Sequence, residues 1–143
     1  MAAPEPDLAD LYPLAENAPE RVRSRSGRSL AELPVEAIAR GEVGIEDLGI
    51  APEGLRAQAE VARRARRPTL ARNLERAAEL VTVPEELLLR VYELLRPGRA
   101  KAKAELLAVA TELRSGYGAK LNARLVEEAA EHYERRGLFK KRY

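Results

Sequence analysis

Residues 77–99 read AAELVTVPEELLLRVYELLRPGR, a stretch in which one helix ends, a second begins and that second helix ends in turn. Thr82 can act as the N-cap of the second helix, because Pro84 fits its first turn and Glu85 stands where a capping box needs an acidic side chain. Apolar residues at helical spacing then line one side, and the Pro-Gly pair after Arg96 prevents the helix from continuing. The stretch therefore predicts an α-helix between Thr82 and Arg96.

Helical spacing and helix-ending residues continue on both sides of this stretch. They predict helices that begin at or near the following residues: Pro34, Glu46, Pro52, Pro68, Lys103 and Ala119. No segment alternates apolar and polar residues as a half-buried strand does, and no Asn-Gly pair marks a hairpin. We therefore predict an all-α fold, a small helical domain with an irregular N-terminal segment.

Apolar stripes on these helices predict which side chains face inward. In the helix that begins at Pro52 the small side chains of the stripe suit close packing, and its members are Leu55, Ala59, Ala62 and Ala65. The last two helices present Leu106, Leu107, Ala110 and Leu113 on one, and Leu121, Leu125, Val126, Ala129, Ala130 and Tyr133 on the other. Because helices of this length are only marginally stable in isolation, their packing must supply most of the stability.

The first 33 residues differ from the rest of the chain. Prolines at positions 13 and 19 and the Arg-Ser-Arg-Ser-Gly-Arg run at 23–28 prevent a long helix, yet the segment holds too many apolar residues for a free tail. An irregular segment of this kind usually lies along another surface, either that of its own helical body or that of a partner chain. We therefore predict two parts, an irregular docking segment over residues 1–33 and a helical domain over residues 34–143.

The composition is that of a globular chain. Of the 143 residues, 45% are hydrophobic and 34% are charged, and the net charge of only +2 argues weakly for nucleic acid. The absence of cysteine excludes disulfides and thiolate metal sites. No stretch approaches the roughly 20 apolar residues of a membrane span, and the N-terminus lacks the pattern of a secretory signal. We expect a soluble, intracellular protein that does not contact a membrane.

Residues that could carry catalysis are few. His132 is the only histidine, and no second histidine or nucleophile accompanies it in a known motif. Adjacent carboxylates such as Glu127 and Glu128 are typical of solvated helix faces, and no glycine-rich phosphate loop or dinucleotide motif occurs. The sequence therefore predicts no catalytic, cofactor-binding or metal-binding residue.

Arginines are concentrated in two places, at 63–67 and at 23–28. The first group ends a predicted helix, where positive charge is favourable against the helix dipole, so a structural explanation suffices. The second group lacks interleaved aromatic residues and has acidic neighbours, which favours a solvated loop. A free-standing helical module that binds nucleic acid through both groups stays an alternative, with an affinity that falls steeply with salt.

Five segments carry a resemblance to a known family: YPLAENAPERVRS at 12–24, SLAELPVEAIARGEV at 29–43, EDLGIAPEGLRAQAEVA at 46–62, RPTLARNLERAAELVTVPEELLLRVYELLRPGR at 67–99, and ELLAVATELRSGYGAKLNARLVEEAAEHYERR at 105–136. In this order and spacing the chain resembles the small (gamma) subunit of adenosylcobalamin-dependent diol dehydratase and glycerol dehydratase. The most specific pieces are RAAELVTVPEELLLRVYELLRPGR and the combination of YGAK with VEEAAEHYERR. The resemblance covers nearly all of the chain.

The resemblance implies a carbon–oxygen lyase made of large, medium and small subunits, with two copies of each. Such an enzyme uses adenosylcobalamin to form a radical that removes hydrogen from a 1,2-diol, and loss of water gives an aldehyde from propane-1,2-diol or glycerol. In the family the substrate, its metal ion and the catalytic residues lie in the large subunit, and cobalamin lies between the large and medium subunits. This chain would then be a non-catalytic subunit.

An irregular apolar segment and charge-rich helices suit a subunit that wraps onto a larger partner, where obligate interfaces bury more than about 2,000 Å². We predict that the N-terminal segment and the helix of residues 82–96 contact the large subunit. The predicted interface residues are Leu11, Tyr12, Pro13, Leu14, Leu87, Val91, Tyr92 and Leu95. The resemblance further implies a cytoplasmic location in a bacterium and leaves packaging within a microcompartment open, although we do not expect the short leader before Leu8 to direct it.

Overall fold

The computed structural model describes residues 6–139 and confirms the all-α prediction. Within this range the α-helices are α1 (Leu14–Asn17), α2 (Val35–Ala39), α3 (Ile45–Leu48), α4 (Pro52–Arg64), α5 (Pro68–Leu80), α6 (Glu85–Leu95), α7 (Lys103–Tyr117) and α8 (Lys120–Arg135). Two short 3-10 helices lie at Pro19–Arg21 and Leu30–Glu32. Pairing of β type in the described residues is limited to the isolated bridges Arg23 with Ser29 and Ser24 with Ile50.

The chain divides into two compact units, Met1–Val81 and Thr82–Tyr143. The division falls within the stretch that joins α5 to α6. The predicted boundary after residue 33 lies inside the first unit. Whether residues 1–33 dock onto another chain depends on a partner, so that function stays a prediction.

The N-terminal part of the first unit is irregular, as the prolines predicted, and its turns are held by short-range bonds. The backbone N–H of Arg25 donates to the carbonyl oxygen of Gly49 over 2.7 Å. This bond connects the arginine-rich residues 23–28 to the stretch before α4. Glu32 accepts hydrogen bonds from the hydroxyl and the backbone N–H of Ser29, each 2.7 Å long. These bonds to the charged carboxylate hold the pKa of Glu32 below its ordinary value.

Helices α4 and α5 form a hairpin with a core of small side chains. Ala59 and Ala62 of α4 and Ala71 of α5 are buried together, and Leu74 packs against them. The predicted stripe is thus confirmed at Ala59 and Ala62. Ala65 is exposed instead, because α4 ends at Arg64 and the residue after it no longer follows the helical stripe.

Helix α6 begins later than the sequence predicted. Pro84, with φ −59° and ψ 142°, is the N-cap residue, and no side chain caps the helix, so the predicted capping box of Thr82 and Glu85 is wrong. The physical reason is the proline itself, which disfavours helical geometry in the residue before it and keeps Val83 outside the helix. Val83 is buried instead, 6% exposed, and Glu85 and Glu86 occupy the first turn.

The second hairpin, α7 with α8, confirms the predicted burial of Leu106, Ala110, Leu113, Val126 and Ala130 but otherwise buries different side chains from those predicted. Its innermost residues are Leu106, Val109, Ala110, Leu113, Asn122, Ala123, Val126 and Ala130. The predictions at Leu107, Leu121 and Leu125 are wrong, because these side chains are 38%, 41% and 42% exposed. Each lies next to a residue that is buried, namely Leu106, Asn122 or Val126, and presents its own side chain to solvent.

Candidate partner interface

An open, mostly apolar groove of about 700 Å³ lies in the first unit. One wall is the N-terminal segment, with Tyr12, Pro13 and Leu14, and the other consists of side chains of α4 and α5 such as Val61 and Leu70. Tyr12 is 64% exposed and Leu70 43%, so these walls present apolar surface to solvent. The irregular segment therefore lies along a surface of its own unit and completes a concave apolar site there.

The predicted interface residues of the N-terminal segment occupy different positions in this groove. Tyr12, Pro13 and Leu14 line it, whereas Leu11 does not. Tyr12 and Pro13 are exposed, and Leu11 and Leu14 are half-buried. Of the four, Tyr12 therefore offers the largest free apolar surface to a partner.

The predicted interface residues of α6 separate into buried and exposed side chains. Leu87 and Val91 are 5% and 8% exposed, so the folded chain itself buries them. Tyr92 is 68% exposed and Leu95 is half-buried, with its carbonyl oxygen accepting a hydrogen bond from the hydroxyl of Tyr133. Leu89, 60% exposed, lies three residues before Tyr92 on the same face. The free apolar surface of α6 thus consists mainly of Leu89 and Tyr92, and its contact with a partner stays a prediction.

A further group of exposed apolar residues lies between the N-terminal segment and α4, and the sequence reasoning missed it. Its largest members by exposure are Ile45 at 83%, Val35 at 75%, and Ile50 and Leu48 at 47% each. The sequence contained a signal for this exposure. Helices as short as α2 and α3 have no second turn, so they cannot form the apolar stripe with which a longer helix buries such residues.

The arginines that end α4 are largely neutralised within the chain. Arg63 pairs with Glu60 at 2.5 Å and with Glu75, and Arg64 pairs with Asp7 and, at 3.6 Å, with Glu60. The hydrogen bond to Glu75 is the main cause that raises the pKa of Arg63. Cations whose partners are carboxylates of the same chain are poorly placed to neutralise phosphates. Arg63 and Arg64 therefore give no support to the nucleic-acid alternative.

Ion pairs also connect the helices of the second unit. Arg90 of α6 pairs with Glu112 of α7, Lys103 of α7 pairs with Glu134 of α8 at 2.7 Å, and Arg114 pairs with Glu127. The Arg114 guanidinium holds the pKa of the Glu127 carboxyl below its ordinary value. These pairs are solvent-exposed, so their contribution to stability is small.

Side chains with catalytic potential are not assembled into a site. His132 is exposed, and the guanidinium of Arg135 donates to its Nδ1 over 2.8 Å. Within residues 6–139 no group of three His, Cys, Asp or Glu side chains could hold a metal ion. In the same part of the chain every buried polar side-chain atom has a hydrogen-bond partner, so none is left aimed at an absent ligand. None of the helices in this range has the length and apolar character needed to span a membrane.

Comparison with known proteins gives consistent matches. A family described as "Dehydratase small subunit" matches residues 8–140. The propanediol dehydratase small subunit of Citrobacter freundii is 43% identical over 129 residues, which cover 90% of this chain and 74% of that protein. The propanediol dehydratase small subunit of Salmonella typhimurium strain LT2 matches with the same identity and coverage. The matched region contains α1 to α8, so the likeness extends through both units.

Proposed function

Because the chain belongs to the family of dehydratase small subunits, we propose that it is the small, structural subunit of a diol dehydratase. The enzyme of which it is a part removes water from a 1,2-diol, such as propane-1,2-diol or glycerol, and releases an aldehyde. The observation that carries this proposal is the 43% identity to two propanediol dehydratase small subunits over 90% of the chain. The chain supports the assembly and contributes no group to the chemistry.

The surface of the chain supports a role in assembly. Tyr12, Ile45 and Tyr92 are exposed by 64%, 83% and 68%, and they lie on three separate elements or segments. An apolar surface of this kind is stabilised when a partner removes it from water, at about 25 cal/mol per Å² of apolar area. We therefore propose that the predicted residues Leu11, Tyr12, Pro13, Leu14, Tyr92 and Leu95 contact the large subunit.

The cofactor belongs to the complex and not to this chain. Adenosylcobalamin, which the family resemblance implies, supplies the radical chemistry of the reaction when bound. In the proposed complex cobalamin is bound between the large and medium subunits, as the family resemblance implies, and this chain contributes no group to the reaction.

The proposed assembly contains large, medium and small subunits, with two copies of each. Its location is the cytoplasm of a bacterium, in agreement with the bacterial sources of both relatives.

Co-expression of the chain with the reading frames that neighbour it tests this function. Native mass spectrometry of the purified material should reveal an assembly of three kinds of subunit. An aldehyde assay with propane-1,2-diol and with glycerol should then give activity that requires added adenosylcobalamin. The matched control is the same co-expression without this chain, for which we expect loss of activity.

Two results would contradict the function. One is a stable monomer that does not associate with the products of the neighbouring frames. The other is full aldehyde-forming activity of the large and medium subunits when this chain is omitted.

A further inference from the structure

The connection between α4 and α5 contains a strained residue. The backbone N–H of Arg67 donates to the carbonyl oxygen of Ala62 over 2.9 Å, and that of Arg66 donates to Arg63 over 3.1 Å. These two bonds form a Schellman motif, in which the residue at the position of Arg66 adopts left-handed geometry and is usually glycine. Arg66 has φ +57°, and every other described residue with positive φ is a glycine. A side chain at this position costs about 1 kcal/mol or more relative to glycine.

Arg66 and Arg67 also differ from the two arginines before them in their partners. Arg63 and Arg64 pair with carboxylates of the same chain. Among the ion pairs and side-chain hydrogen bonds of residues 6–139, none involves Arg66 or Arg67, and both residues are exposed. The turn therefore presents two guanidinium groups whose charge is not neutralised by the described chain.

Of these two arginines, Arg67 lines the apolar groove, whereas Arg66, the residue before it, does not. Arg67 lines the groove together with its neighbour Ala65, and the apolar walls nearby include Leu70 and Leu74. Arg23 lines it as well, with its guanidinium donating to the carbonyl oxygen of Gly27 over 3.2 Å. The groove thus combines an apolar interior with positive charge at its rim, and a ligand that complements it needs both apolar side chains and a negative charge.

We propose that this groove binds a segment of the large subunit. Apolar side chains of that segment fill the groove, and an Asp or Glu carboxylate of the same segment pairs with Arg66 and Arg67. The inference rests on the proposed function, because it names the chemistry of the partner segment at the assembly interface. A carboxylate matches the flat, forked guanidinium and gains from charge-assisted hydrogen bonds there. Nucleic acid does not fit, because the groove walls are mainly aliphatic and offer no stack of aromatic rings for bases. In this proposal Arg66, next to Arg67, supplies the second guanidinium group for the same carboxylate.

The test measures stability and affinity for the same variants of the full-length chain. Urea unfolding gives the stability, and titration of the chain onto a complex of the large and medium subunits gives Kd at several salt concentrations. Arg66→Gly should unfold at higher urea concentration than the unmodified chain yet bind the complex more weakly. Arg67→Gln should leave unfolding unchanged and raise Kd about tenfold, as loss of a hydrogen bond between charged groups predicts. Both variants should lower the dependence of Kd on salt.

Two further variants complete the test. Arg72→Gln is the matched control, because Arg72 is an exposed arginine of α5 that does not line the groove, and its Kd should stay unchanged. Leu70→Ala removes an exposed apolar side chain from the groove wall and should raise Kd without changing the salt dependence.

The outcomes separate this inference from the function on which it rests. If the unmodified chain does not bind the large and medium subunits, the proposed function fails. If the unmodified chain binds, and either Arg67→Gln or Leu70→Ala binds as tightly as Arg72→Gln, the function stands and the groove is not the site. A gain of stability in Arg66→Gly without any loss of affinity also overturns the inference, since the strain would then serve no partner.

Discussion

Gly116 and Gly118 are separated by one residue but have opposite conformational requirements. Gly116 lies within the last turn of α7, whereas Gly118 follows the helix with φ +65° and provides the left-handed residue of its C-terminal cap. No atom lies within 4 Å of a Cβ built at either position, so crowding does not enter the comparison. Substitution by alanine therefore isolates the effect of the backbone at each position.

We expect Gly118→Ala to lower the free energy of unfolding by about 1 kcal/mol, because a Cβ disfavours left-handed geometry. Gly116→Ala should raise it by about 0.5–1 kcal/mol, because alanine has less backbone freedom to lose in a helix. Urea unfolding of the two variants beside the unmodified chain checks both signs. Equal effects in the same direction would show that α7 does not end where the structure places its end.

The sequence pattern was misleading about the N-terminal cap of α6. Gly118 and Gly137, which follow α7 and α8, both have positive φ, as glycines that end helices do, whereas Gly116 lies inside α7. The start of α6 was predicted wrongly, because Thr82 and Glu85 have the spacing of a capping box although Pro84 lies between them. A proline disfavours helical geometry in the residue before it, and this rule would have corrected the predicted start of α6. A match to the capping-box pattern does not take that rule into account.

Leu106 and Leu107 provide a comparison between neighbours on α7. Leu106 is 0% exposed and Leu107 is 38% exposed. Leu106→Ala should lower the free energy of unfolding by about 2–5 kcal/mol, because it removes buried methyl groups and leaves a cavity. Leu107→Ala should cost no more than about 1 kcal/mol.

Equilibrium unfolding in urea measures both values, and Leu107→Ala serves as the control for any loss of intrinsic helix propensity. If the two substitutions cost the same, the register of α7 is that predicted from the sequence and not that of the structure. If Leu107→Ala costs more, the helix is rotated by about one residue, or 100°.

The existence of the helices could be read from the sequence, but the faces that they bury could be read only in part. Proline and glycine mark helix ends by local geometry, which any tertiary arrangement leaves unchanged. A stripe of inward residues depends on the partner helix, and α7 and α8 bury Ala119, Ala123 and Ala130, all 0% exposed, in preference to larger neighbours. The apolar stripe read from the sequence therefore placed Leu121 and Leu125 inward wrongly.

Assembly should depend on the N-terminal segment. Tyr12→Ala combined with Leu14→Ala removes two apolar side chains that line the groove. We expect the double substitution to weaken association with the large subunit by about 2 kcal/mol or more, as for a buried aromatic anchor. The activity of each complex that still forms should be unchanged, because no catalytic group is removed.

Native mass spectrometry at a fixed subunit concentration gives the assembled fraction, and the aldehyde assay normalised to that fraction gives the activity per complex. Urea unfolding of the free chain provides the control for folding. Normal assembly and activity in the double variant would refute the role of the N-terminal segment as an anchor.

The candidate interface could be predicted from the sequence only where local composition is decisive. A segment with prolines and apolar residues predicted exposed surface near Tyr12, and Tyr12 is exposed. Leu87 and Val91 illustrate what composition cannot supply, since an apolar side chain of an amphipathic helix suits a partner and the chain's own core equally well. The groove itself was not predictable, because it arises where residues 12–23 meet α4 and α5.

Both helical hairpins join neighbours in sequence, through residues 65–67 between α4 and α5 and residues 118–119 between α7 and α8. Contacts between such neighbours require little loop closure, and proteins dominated by them fold in about microseconds to milliseconds. Encounters between proteins at cellular concentrations are slower than this. We therefore expect the hairpins to complete their folding before a partner arrives, and the rate of complex formation to rise in proportion to partner concentration without reaching a plateau set by folding.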